Sequence, residues 1–148
     1  MFDKPQFWVI LATIALGGVI AGFGYARHGS GWISPEKKAD WLVEIASKEL
    51  DLSTDQKAKL NQIKDEVLAK MQTFRGLREG LREEVLSQVR KESVDQQKLN
   101  QLLGEKEAQI KEMRTFLVAK FAEFHGMLTP EQRLKLAEGL DRFHKERD

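Results

Sequence analysis

From Leu60 to Val89 the apolar positions return every three or four residues, through Ile63, Val67, Met71, Phe74, Leu77, Leu81 and Val85. The same spacing resumes at Leu99 and runs through Leu103, Ile110, Met113, Leu117 and Phe124 to Met127, with Leu102, Phe116 and Phe121 widening the stripe. An apolar stripe of period near 3.6 with a polar back is the mark of an amphipathic helix. The break between the two stripes is Arg90-Lys91-Glu92-Ser93. Ser93 with Gln96 reads as a capping box there, the hydroxyl accepting from the backbone three residues on while the glutamine reaches back. The pattern predicts an all-α fold whose centre is an antiparallel hairpin, with helices over about 54–90 and 94–128 and a turn near 91–92.

Two matching phrases bound the hairpin. Leu52-Ser53-Thr54-Asp55-Gln56 precedes the first arm and Leu128-Thr129-Pro130-Glu131-Gln132 follows the second. In each, Ser53 or Thr129 is a predicted N-cap, and Gln56 or Gln132 completes the box. Both arms rise equally per residue, so a turn near 91–92 brings the two phrases together at the open end. By the same register Gly80 faces Gly104, permitting close backbone approach; Gly76, Gly80 and Gly104 read equally well as bends. Short helices are predicted at each end. Ser34-Pro35-Glu36 opens one over about 35–50, with Trp41, Leu42, Ile45 and Ala46 on one face; the other, over 130–145, carries Leu134, Ala137, Leu140 and Phe143. Arms of about 36 residues are about 54 Å long. One pair of helices that long cannot cover both stripes, so the remainder must be buried by the end helices, by a second copy or by a client.

Ahead of these helices, residues 7–26 form an uncharged run of 20 residues, which as a helix spans about 30 Å, the thickness of a bilayer core. The run predicts an uncleaved single-pass anchor in preference to a signal peptide cleaved after Gly24-Tyr25-Ala26, with 1–6 as a cytoplasmic lead, 27–33 as a glycine-rich flexible neck and 34–148 as the helical domain. Trp8 and Tyr25 suit the two interfaces. Gly18 and Gly22 form a GxxxG that would let two such helices pack closely, or are simply the glycines common in membrane helices. Lys4 stands on one side and Arg27, Lys37 and Lys38 on the other. Counted literally, that opposes export of the domain, although long domains translocate despite such charges.

Composition then narrows the chemistry. The formal net charge of +1 supplies no global field for nucleic acid, and the absence of cysteine removes thiolate metal sites and thiol catalysis. No Ser/His/Asp set, phosphate-binding glycine loop or secluded carboxylate pair is present, so an enzyme is not expected. Arg75, Arg78 and Arg82 recur at helical spacing within a segment, 70–91, that has six basic and three acidic residues. Beside Phe74 and Phe116 this ridge is a candidate surface for clients or a partner, or else a solvated face paired with Glu79 and Glu83. Phe121 and Phe124 are expected in the core. His28, His125 and His144 are the nitrogen ligands available to a divalent transition metal, the only cofactor to be considered. His125 and Met127, two apart, point to different sides of a helix, whereas His144 has Asp141 and Asp148 at helical spacing.

The paired phrases at the ends of a helical hairpin resemble the LTxxQ motif of the Spy/CpxP group of periplasmic proteins, which also includes metal-resistance proteins and membrane-anchored heavy-metal sensors. The second phrase matches in full and the first has Ser53 for Thr, which keeps the cap. The resemblance covers roughly residues 34–145 and implies a curved homodimer of hairpins, exported to the periplasm. Such a protein shields unfolding clients without ATP or modulates an envelope-stress response; the anchor is similar to that of the sensor members and implies the inner membrane. A nickel, cobalt, zinc or copper sensor is the alternative it implies, with ligands near the neck and at the end of the second arm, where this chain offers His28, His125 and Met127. A single-span scaffold subunit of a membrane complex, using Gly18 and Gly22 and the hairpin only as scaffold, is a third reading.

Overall fold

The computed structural model describes residues 34–145, with side chains as far as Arg142. These residues form four α-helices and no strand: α1 (Pro35–Glu49), α2 (Thr54–Val89), α3 (Gln96–Gly126) and α4 (Pro130–Lys145). The all-α expectation holds, with long arms α2 and α3 and a short helix at each end. Among the described residues no helix is long and apolar enough to cross a membrane. The expected anchor at 7–26, with Gly18 and Gly22, lies outside them, as do the neck and His28.

Helix starts follow the caps. Ser34 accepts from the Lys37 N–H at 3.3 Å, with Pro35 in the first turn, where a missing N–H costs nothing. Ser53 caps α2 through a complete capping box. The third expected box does not form. Asp95, not Ser93, caps α3 by accepting from Lys98 N–H at 3.0 Å, so the helix starts at Gln96 rather than near 94. The physical reason lies across the turn. With the start at 96, the Asp95 N–H meets the side-chain oxygen of Gln88 at 3.4 Å, and Gln88 is buried at 2% exposure. A partner from the first arm thus accepts from the cap's own N–H, which Lys98 at the third helical position cannot do.

The turn from α1 into α2 is a Schellman close. Leu52 N–H donates to Ser47 C=O at 2.9 Å and Asp51 N–H to Lys48 C=O at 3.4 Å, with Asp51 in the left-handed region at φ 51°.

Register agrees with the predicted turn. Lys70 pairs with Glu112 and Glu66 with Lys120 across the arms, pairs centred within about two residues of 92. α1 lies antiparallel along α2, with Asp40 on Lys64 and Glu44 on Lys57. The core sits at the open end, where Leu50, Ile63, Phe124, Leu128 and Leu136 cluster and Leu52, Leu60, Val67, Phe121, Met127 and Leu140 pack around them. Burial at this level is worth about 1.5–3 kcal/mol for each large aliphatic side chain. The end-helix faces are rotated from expectation. Val43 and Ala46 are buried while Trp41, Leu42 and Ile45 are half-buried; on α4, Leu136 is buried while Leu134 and Ala137 are exposed. In α3, Leu102 is buried and its neighbour Leu103 is 54% exposed.

Beyond Phe74 the structure thins to two helices. Leu77 is 47% and Val89 66% exposed, and only Gln88 of α2 is fully buried there. Gly80 and Gly104 do not approach anything: a Cβ on either would meet no atom within 4 Å. The expected close backbone approach at these two glycines is absent.

Candidate functional site

The two bounding phrases meet, and the glutamines join them. Gln56 Nε2 donates to Gln132 Oε1 at 2.8 Å, and Gln132 Nε2 returns a bond to Gln56 Oε1 at 2.9 Å. The second N–H of each amide reaches a carbonyl two residues before the other cap: Met127 O at 2.7 Å and Asp51 O at 3.2 Å. Each oxygen also accepts its own cap's N–H, from Ser53 and from Thr129, both at 2.9 Å. A primary amide has two donors and two acceptor positions, and all of them are used on both sides. The pattern maps onto itself when the two phrases are exchanged, so the clasp has an internal two-fold. Turning either amide over would set N–H against N–H, which fixes both orientations. Leu52 is half-buried and Leu128 buried at 3%, and both pack into the core beneath the clasp. Ser53 and Thr129 serve only as caps, accepting from Gln56 and Gln132 N–H at 3.2 Å each.

The expected client surface is divided. Arg75, with Pro35, Glu36, Leu68, Met71 and Gln72, borders a hollow on the α1 side of α2. Phe116 lies elsewhere, in an open hollow of about 480 Å³ with Lys70, Ala108, Lys111, Glu112 and Thr115. Its ring lies 5.7 Å from both Lys70 Nζ and Lys120 Nζ, so two cations flank it. Phe74 and Phe116 are half-buried, whereas Phe121 packs on the core and Phe124 is buried within it. Arg75, Arg78 and Arg82 are exposed, and among the described residues no carboxylate forms an ion pair with any of them. The pairing with Glu79 and Glu83 does not form. Bridges elsewhere shift their acids: the Lys120 ammonium, by hydrogen bonding, holds Glu66 below the usual carboxylate range, and Lys57 does the same to Glu44.

Of the three histidines, His125 has a described side chain, and it joins no metal site among the described residues. His125 is exposed, its ring tilted against Phe121 at 6.4 Å, while Met127 packs into the core and its carbonyl is taken by Gln56. Among the described residues no group of three or more His, Cys, Asp or Glu could hold a metal ion. The side chain of His144 lies outside them.

Sequence reasoning placed both caps but missed the cross-bonds between the glutamines. The signal available was the identical offset of Gln56 and Gln132 from their caps, combined with a register that brings the phrases together.

An antiparallel helical hairpin closed by paired Leu-(Ser/Thr)-x-x-Gln phrases defines a helical class of the Spy/CpxP kind. The family model described as heavy-metal resistance matches residues 8–135, and the chain belongs to that family. Comparisons with curated proteins and with solved structures give no match. The donor set among the described residues does not fit a transition metal, family membership notwithstanding.

Proposed function

We propose that the protein is a membrane-anchored, periplasm-facing Spy/CpxP-like chaperone or envelope-stress modulator, a binding protein and not an enzyme, acting without ATP as a homodimer. The observation that carries this reading is the contrast between the two ends of the hairpin. At the clasp four helices bury a continuous core, while the distal arms leave Leu77 47%, Val89 66% and Leu103 54% exposed. Large side chains left in water on a two-helix layer favour contact with other apolar surface, either a second copy or the apolar segments of an unfolding chain. The open hollow around Phe116, with Lys70 and Lys111 on its rim, adds an aromatic floor and positive charge for loosely held, acidic segments.

Suppression of client aggregation by the full chain tests the reading. Leu77→Glu with Leu103→Glu should abolish protection while helicity and the unfolding midpoint stay near those of the parent. Undiminished protection by a well-folded double variant would reject the apolar surface as the contact. Stoichiometric copurification with one membrane complex, without any protection, would favour a scaffold role. The family description brings in metal sensing as a second reading, but no described residues converge to serve it.

A further inference from the structure

We infer that Arg75, Arg78 and Arg82 form a docking edge for the anionic headgroups of the bilayer to which the chain is tethered. The inference rests on the anchored reading above and concerns a surface separate from the client contact. Three observations carry it.

The first is where the chain enters the domain. Pro35 and Glu36, at the start of α1, share a hollow with Arg75. Along α2 the partners of α1 advance from Lys57, opposite Glu44, to Lys64, opposite Asp40, and then to Arg75. Arg78 and Arg82 continue along α2 from Arg75, in the direction away from the clasp, and both are exposed. Residues three and four apart share a helix face, so the three arginines form one edge about 10 Å long.

The second is reach. Seven residues, 27–33, separate the described domain from the uncharged run at 7–26. Even fully extended they span about 25 Å. The Arg75 end of the ridge borders Pro35 and Glu36, where the described domain begins, and Lys37 and Lys38 follow in the first turn of α1.

The third is charge. The lysines at 57, 64, 70, 120 and 135 each have a carboxylate partner. The three arginines have none among the described residues, and Arg75 acts on Glu36 only at longer range. Guanidinium groups bind phosphate oxygens in a bidentate fork and are more weakly hydrated than ammonium, which suits them to phosphodiester headgroups. A basic residue near an anionic surface favours the bound state about fivefold, and three acting together by about a hundredfold.

The chain has no cysteine, so single labels are site-specific. The full chain would carry a fluorophore at Glu79→Cys, beside the ridge, or at Thr115→Cys, in the Phe116 hollow. Each is reconstituted in phosphatidylcholine vesicles with or without phosphatidylglycerol, containing a headgroup-linked quencher. With phosphatidylglycerol, quenching at 79 should exceed that at 115 several-fold. The difference should collapse in phosphatidylcholine, in high salt and in R75Q/R78Q/R82Q. Equal quenching at the two sites, or a difference indifferent to the triple substitution, overturns the inference. Loss of client protection in the triple variant without lipid-dependent quenching would reassign the ridge to protein partners and also overturn it. Flotation with pure phosphatidylcholine vesicles reports the anchor alone. Failure to float overturns the anchored reading and the inference with it, whereas flotation without lipid-dependent quenching overturns only the ridge.

Discussion

Gln56 and Gln132, 76 residues apart, each receive from the other the hydrogen bond they give. A capping box accepts Glu as readily as Gln at its third position, so Gln56→Glu separates the cap from the clasp. The carboxylate can still accept from Ser53 N–H, but it cannot donate to Met127 O or Gln132 Oε1, and like lone pairs then face each other. The variant should lose about 2–3 kcal/mol at neutral pH. The penalty belongs to the ionised form, so the folded pKa of the new carboxyl is raised and stability partly returns as pH falls through it. Urea unfolding at pH 7 and pH 4 measures both. An unchanged midpoint at pH 7 would mean that the clasp adds nothing beyond the cap.

Asp51 occupies a left-handed position that glycine adopts without steric cost. Asp51→Gly gives up an exposed pair with Lys135, which is worth little. It should therefore stabilise by about 0.5 kcal/mol, whereas Asp51→Ala should destabilise by about 1 kcal/mol. The Gln132 bond is made to the backbone carbonyl and survives both changes. Thermal unfolding of the two variants should move in opposite directions.

Gly80 and Gly104 lie inside long helices with open space around their Cα atoms. Gly80→Ala should raise stability by about 0.5–1 kcal/mol. If the dimer brings a second backbone against this stretch, the same change would weaken dimerisation, so sedimentation and unfolding should be read together.

Glu66 and Glu44 have carboxyls lowered chiefly by hydrogen bonds from Lys120 and Lys57, and Glu36 by its own backbone N–H and then Ser34. A lowered folded pKa gives stability that is present above the unfolded value, about 4.3, and lost as pH falls through the lower folded one. The midpoint of urea unfolding should therefore decline on acidification from about pH 5. Glu66→Gln should flatten part of that decline. Lys64 and Lys120 are raised, chiefly by the hydrogen bonds they donate to Asp40 and Glu66. Their contribution is complete below the ordinary lysine range and fades as pH rises through the higher folded values.

His125→Ala should leave nickel, zinc and copper titrations of the full chain unchanged, because a single exposed imidazole with Met127 turned into the core makes no chelate. Loss of a saturable isotherm in this variant would restore the sensor reading.

What the sequence disclosed was whatever depended on one stretch at a time. Ser53 and Thr129 were legible as caps because a cap needs only the next three residues, and the long stripes gave the hairpin and its turn. The reciprocal glutamine bonds were not legible, since they depend on two stretches meeting in one register. The start of α3 escaped for a related reason: Ser93 and Asp95 are both competent caps, and Gln88 in the other arm decides between them. Leu102 and Leu103 are adjacent apolar residues, so periodicity could not say which would face inward. Arg75 and Phe116 looked like one surface because both lie on amphipathic arms; the position of α1 shows that they border different hollows.

Because four helices converge at the clasp and only two continue beyond Phe74, the distal arms stand as a cantilever on a stiff base. α2 has 36 residues. Over its length of about 54 Å, a tilt of only about 5° at the base carries the tip through about 5 Å. The two glutamines therefore govern a distance far larger than their own: how widely the arm swings toward whatever it touches is decided where the chain is knotted shut, some ten helical turns away.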